Sequence, residues 1–136
     1  MTKKLIGACL LLATLFAFPA CKKEYYSTVN QAFSAIYTIQ SGDWKPITGA
    51  NGYATSLNVP ELTKDFVGDG AVLVYLSFDA GTTYEAIPEV FNGIAYGTYH
   101  GKGYVGIDLR RVDGGPVTAP GGGIKAKVIL VYTEPL

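Results

Sequence analysis

The stretch Ala71-Val72-Leu73-Val74-Tyr75-Leu76-Ser77-Phe78 is the most apolar run outside the first twenty residues of the chain. Its length suits a β-strand, and apolar side chains occur on both faces at its middle, so we expect a central strand. Residues 124–132 contain a second such run, Val128-Ile129-Leu130-Val131. These two segments predict interior strands of a β-rich fold.

Five further segments have strand composition and are separated by turn signals such as Asn51-Gly52 and Gly101-Lys102-Gly103. They span residues 33–39, 53–59, 83–87, 94–100 and 104–111. Residues 60–67 predict one short helix, because Pro60 suits its first turn. Seven short strands without βαβ spacing predict an all-β protein, a two-sheet antiparallel β-sandwich of immunoglobulin-like or jelly-roll-like type.

The segment from Tyr104 to Arg111 alternates with a period of two, which is typical of a strand with one buried face. One side carries three aliphatic residues: Val105, Ile107 and Leu109. The other side carries Tyr104, Asp108 and Arg110, which should share the solvent-exposed face of the sheet. Tyr104 could stack on a sugar there, while Asp108 and Arg110 could hydrogen-bond to hydroxyl groups.

Tyr96 or Tyr99 on the preceding arm could extend this aromatic surface, depending on the register of the two strands. The hypothesis requires exposed and roughly coplanar rings. The alternative is that these tyrosines form cross-strand pairs that support the sheet. Trp44, the single tryptophan, is expected to close one end of the core, with ligand stacking as the alternative.

The chain carries few residues that would indicate catalysis. His100 is the only histidine, and the thiolate and histidine spacings of zinc sites are missing. There is no Gly-x-Ser-x-Gly elbow and no phosphate-binding loop. Glu85 and Glu89, like the other carboxylates, would form a glycosidase pair only by an accident of folding. We therefore expect no enzyme, no metal and no cofactor.

Composition and charge agree with a single small domain. The chain has 136 residues, with Gly 17, Pro 7 and Tyr 10, which favours strands and turns. Lys3 and Lys4 lie in the predicted signal peptide described below, and the remainder has two more acidic than basic residues. This balance gives no general attraction to nucleic acid.

The chain begins like a secretory signal peptide. Lys3 and Lys4 precede an apolar run over residues 5–18, and Pro19-Ala20-Cys21 follows it. A run of about fourteen residues is too short for a transmembrane helix, which needs ~20. We predict a lipoprotein signal peptide at residues 1–20, a lipid-anchored tether at 21–31, and a β-sandwich domain at 32–136.

Phe18-Pro19-Ala20-Cys21 resembles a bacterial lipobox, although Phe18 and Pro19 depart from its usual aliphatic and small residues. Cys9 follows too short an apolar segment to be the modified cysteine, so Cys21 is the expected lipidation site. An ordinary cleaved signal is the alternative. The resemblance implies three acyl chains such as palmitate, which would anchor the protein in a membrane.

The residues after Cys21 indicate which membrane would hold the lipid anchor. An inner-membrane retention signal would place Asp where Lys22 stands, so the outer membrane is expected. Lys22-Lys23-Glu24 resembles the tag that sends some lipoproteins to the cell surface, but it has one acid where that tag usually has two. Periplasmic and surface-facing locations both stay open.

Residues 59–76 resemble a segment of a family of small, uncharacterised lipoproteins of Gram-negative bacteria. Ala86-Ile87-Pro88 and the valine-rich residues 125–131 continue the resemblance, which covers residues 32–132. It implies a β-sandwich and a lipid anchor and transfers no site residues.

We therefore predict a lipid-anchored protein of the cell envelope with a binding or structural role. The alternative is a surface carbohydrate-binding module that acts through exposed tyrosines. Its partner would be a glycan or another envelope protein.

Overall fold

The computed structural model describes residues 32–133, which fold into two antiparallel β-sheets packed face to face. The strands of this part of the chain are β1 (Ala32–Ile39), β2 (Lys45–Pro46), β3 (Gly52–Asn58), β4 (Ala71–Ser77), β5 (Glu85–Ile87), β6 (Glu89–Phe91), β7 (Ile94–Gly101), β8 (Tyr104–Arg111) and β9 (Ile124–Val131). One sheet has the order β1-β9-β4-β5, and the other has the order β2-β3-β8-β7-β6. The predicted all-β sandwich is confirmed.

All seven predicted strands are present, and two more were missed. β2 and β6 have only two and three residues, too few for a recognisable alternation. Pro46 lies within β2 and Pro88 directly precedes β6, and proline is disfavoured in strand interiors. The signal peptide, the tether and Cys21 lie outside the described residues.

The two apolar runs occupy the interior of the four-stranded sheet, as predicted. β9 lies between β1 and β4, and β4 lies between β9 and β5. The inward-facing side chains of these strands are buried: Val74, Leu76, Ile124, Ala126, Val128 and Leu130. Their outward face is open around Leu73, which is 45% exposed, whereas the turn after β4 covers Ser77, whose Oγ accepts a hydrogen bond from the Gly81 amide.

The five-stranded sheet completes the core from the opposite side. Its inward-facing side chains include Leu57, Tyr96, Val105, Ile107 and Leu109. Trp44 joins this core and is only 4% exposed, so its predicted structural role is confirmed.

The single described α-helix, α1, spans Lys64–Asp69, so the predicted span of residues 60–67 was wrong at both ends. Thr63 is its N-cap, and its Oγ1 accepts a hydrogen bond of 3.2 Å from the Phe66 amide. A hydroxyl cap satisfies a helix terminus, whereas Pro60 lies within the preceding turn, in which the Leu62 amide donates to the Val59 carbonyl. The buried Phe66 ring fixes the helix to the core.

Candidate functional site

The outward face of the five-stranded sheet carries the predicted trio of polar residues. Val105, Ile107 and Leu109 of β8 are fully buried. Tyr104, Asp108 and Arg110 alternate with them and lie on the opposite face. Tyr104 is 40% exposed. Strand alternation therefore placed all three residues correctly.

Three glycines on this face lie beneath larger side chains. In the register of β7 and β8, Tyr99 pairs with Gly106, Gly97 with Asp108 and Gly101 with Tyr104. A Cβ added at Gly97, Gly101 or Gly106 would come within 3.0 Å of its partner's side chain. The side chains thus rest directly on glycine backbone, a recognised way of covering glycine in a sheet.

Tyr96 does not belong to this face. It pairs with Leu109, points into the core and is only 6% exposed. Burial, and then the charge of Glu89, raise the pKa of its phenol. Tyr99 lies three residues further along the strand and therefore on the other face, where it is 49% exposed. Of the two predicted candidates, only Tyr99 is available to a ligand.

The rings of Tyr99 and Tyr104 are not coplanar, contrary to the requirement stated above. Their centroids are 6.4 Å apart and their planes meet at 74°. An edge-to-face arrangement is favourable for neighbouring aromatic rings. The two tyrosines therefore form a corner, and a flat ligand could stack on one ring at a time.

Asp108 and Arg110 form a partly exposed ion pair on the same face as Tyr104. Arg110 Nε lies 3.7 Å from Asp108 Oδ2. An exposed pair at this distance contributes little to stability, about 1 kcal/mol or less. Both groups can therefore exchange this contact for hydrogen bonds to a ligand.

A cleft of about 770 Å³ lies beside Tyr99, between the edges of the two sheets. β2 pairs only with Tyr53 and Ala54 of β3, so the remainder of β3 has no described strand on that side. The cleft is lined by Tyr37, Thr38, Ile39, Gly42, Asp43, Lys45, Ala54, Thr55, Ser56, Leu57, Asn58 and Tyr99. It thus combines aromatic rings with hydroxyl, amide and charged groups.

Sequence reasoning missed the polar side of this cleft. Asp43 belongs to a 3₁₀ turn over Ser41–Asp43, and its Oδ2 accepts a hydrogen bond of 2.7 Å from the backbone amide of Gln40. Ser56 and Asn58 lie on the outward face of β3. The alternation of residues 53–59 could have shown that Ser56 and Asn58 share a face, but the nearness of Asp43 depends on tertiary structure.

A smaller pocket of about 240 Å³ lies at another place on the sandwich. Phe78 and Phe91 stack there with centroids 5.6 Å apart, and Glu85 lines the same pocket. Desolvation, and then the nearby Glu85, raise the pKa of Glu89. Among the described residues, Glu89 Oε1 has no hydrogen-bond partner. The fold therefore brings Glu85 and Glu89 close together.

In the neighbouring turn, the carboxylate of Asp79 accepts hydrogen bonds from nearby residues. Its Oδ1 accepts hydrogen bonds from the Thr83 amide at 2.8 Å and from the Ser77 hydroxyl at 2.7 Å. These bonds lower the pKa of Asp79 to about 2. An acid so strongly held in its ionised form suits a structural role better than proton transfer.

Residues 32–133 contain no group of three or more His, Cys, Asp and Glu side chains that could hold a metal ion. No helix in this range is long and apolar enough to cross a membrane. His100 lies on β7 opposite Val105.

No protein-family model, curated protein or solved structure matches the chain. The class that the fold defines is an all-β, two-sheet sandwich with an open cleft between its sheet edges.

Proposed function

We propose that this protein is a lipid-anchored binding module of the cell envelope, held in the outer membrane by acyl chains on Cys21. The basic start, the short apolar run and the cysteine that follows it support this anchor. Eleven residue steps separate Cys21 from Ala32, where the described sandwich begins. We propose a binding rather than an enzymatic role. The resemblance to uncharacterised Gram-negative lipoproteins is part of this proposal.

The cleft beside Tyr99 is the observation on which the binding role depends. Its volume of about 770 Å³ lies within the range of small-molecule sites, about 300–1,000 Å³. Lys45 donates to the Gly42 carbonyl at 2.7 Å, which holds its ammonium group at the cleft wall. The half-exposed ring of Tyr99 lies at the same opening.

Carbohydrate is the ligand class that this surface fits best. A sugar presents an apolar C–H face, which can stack on an aromatic ring, and a rim of hydroxyl groups. Tyr99 offers the ring, while Asp43, Lys45 and Asn58 offer acceptors and donors. Tyr104 and Asp108 continue the surface beyond the cleft. The corner between the two rings favours a bent or branched chain over a flat one.

The anchor is tested by Cys21→Ala. We expect this change to abolish acylation and to leave an uncleaved or soluble protein, because no other cysteine stands at the end of the apolar run. Mass spectrometry of the purified N-terminus measures the outcome. A wild-type protein that starts at another residue and carries no acyl chain would disprove the anchor.

The ligand class is tested by binding to an array of bacterial and eukaryotic glycans, followed by titration of any ligand found. Tyr99→Ala should weaken binding at least about fivefold, because a stacked ring is worth roughly 1 kcal/mol beyond its buried area. Tyr104→Ala should weaken binding to longer chains while the fold stays intact. Tyr84→Ala, on the opposite side of the sandwich beside Lys127, is the matched control. An array without signal at high protein concentration would contradict the proposal.

A further inference from the structure

The outward face of the four-stranded sheet exposes large apolar side chains. Ile36 is 59% exposed and Leu73 is 45% exposed. Ile129 and Val131 lie on the same face of the neighbouring strand and are partly exposed. We call these four residues, together with Ala71, the outer patch. Isolated exposed apolar residues are common on proteins, but a contiguous group marks a contact surface.

The strand register arranges this face in four rows. From the end where the described chain begins, the rows are Ala32–Val131–Ala71, Ser34–Ile129–Leu73, Ile36–Lys127–Tyr75 and Thr38–Lys125–Ser77. The first two rows are apolar apart from Ser34. Cationic groups enter only in the third and fourth rows, and none of the twelve positions carries a carboxylate.

Both lysines of this face are held by neighbours that leave their charges unneutralised. Lys127 Nζ lies 4.9 Å from the ring centre of Tyr75 and 4.3 Å from that of Tyr84. Lys125 Nζ donates to Thr38 Oγ1 at 2.7 Å. Within residues 32–133, neither lysine forms an ion pair with a carboxylate.

We infer that this face rests on the phospholipid bilayer, with the outer patch among the upper acyl chains and Lys125 and Lys127 against anionic headgroups. The inference depends on the proposed anchor. The tether reaches at most about 40 Å at ~3.5 Å per residue, and the described chain begins at Ala32, in the most apolar row. The anchor would therefore keep this face at a high effective concentration beside the membrane.

Charge complementarity favours a bilayer over a second copy of the chain. Two such faces packed together would bring four lysines to one interface, and none of the twelve positions on either copy carries a carboxylate to pair with them, which is unfavourable. An anionic bilayer provides an apolar interior and negative headgroups within one surface. A bilayer therefore matches both the apolar rows and the lysine-containing rows of this face.

The depth of the patch can be measured on the acylated protein in vesicles of phosphatidylethanolamine and phosphatidylglycerol. A spin label at Leu73→Cys should collide with oxygen much more often than with a water-soluble nickel complex. Val90→Cys is the matched control, because Val90 is an aliphatic residue that is 62% exposed on β6 of the other sheet. That label should stay accessible to nickel.

Two outcomes overturn the inference while leaving the anchor intact: a Leu73 label as accessible to nickel as the Val90 label, or one shielded from both reagents by a second copy. If mass spectrometry shows no acyl chain on Cys21, the anchor fails and the soluble protein itself is sedimented with the same vesicles. Leu73→Ser should then reduce partitioning about tenfold and Val90→Ser should not. Equal partitioning of the two variants refutes the patch.

Discussion

A protein carrying Val74→Asp should be unfolded at room temperature, and Leu130→Asp should behave in the same way. Both side chains are almost completely buried between the sheets, on the two inner strands of the four-stranded sheet. An unpaired carboxylate at such a site costs several kcal/mol. The whole domain is expected to have only about 5–15 kcal/mol of stability.

Leu73→Asp is the matched control for this prediction. Leu73 adjoins Val74 in β4, but it faces outward and is half-exposed. Since neighbouring residues in a strand point to opposite faces, the same substitution there should leave the protein folded. Circular dichroism melting curves compare the three variants. If Val74→Asp melted like Leu73→Asp, the inward direction of Val74 would be wrong.

Gly52→Ala should lower the free energy of unfolding by about 1–3 kcal/mol, the usual cost of forcing extra atoms into packed structure. A Cβ at Gly52 would lie 2.6 Å from the Leu109 carbonyl oxygen and 2.8 Å from Arg110 Cγ. The Arg110 side chain can move aside. The Leu109 carbonyl belongs to the backbone of β8, so relief there would separate β3 from β8.

Gly121→Ala is the control for Gly52→Ala, because a Cβ at Gly121 would meet nothing within 4 Å. We expect Gly121→Ala to be neutral or slightly stabilising, since alanine restricts the unfolded chain. Urea titration of both variants measures the difference. Equal midpoints and slopes would show that β3 and β8 accommodate the methyl group without cost.

The parts of the fold that depend on local pattern were predictable from the sequence. The alternation of residues 104–111 placed Tyr104, Asp108 and Arg110 on one face, and the two apolar runs identified the inner strands. Because successive side chains of a strand point to opposite faces, the sequence of one strand shows which residues share a face. This prediction does not require knowing which strands become neighbours.

The parts that depend on pairing between strands were not predictable. Tyr96 and Tyr99 could be assigned to faces only once the register opposite Leu109 and Gly106 was known. The angle between the rings of Tyr99 and Tyr104 depends on side-chain rotamers. The cleft exists because β1 and β3 belong to different sheets and β2 is short. A short stretch of sequence does not reveal which sheet a strand will join.

Trp44 gives the protein a built-in optical probe. It is the single tryptophan, it is buried, and it stands between Asp43 and Lys45, which both line the cleft. Indole emission responds to the polarity and hydration of its surroundings. A ligand that displaces water from the cleft would therefore change the emission of one identified residue, so binding could be titrated by fluorescence on the unlabelled protein.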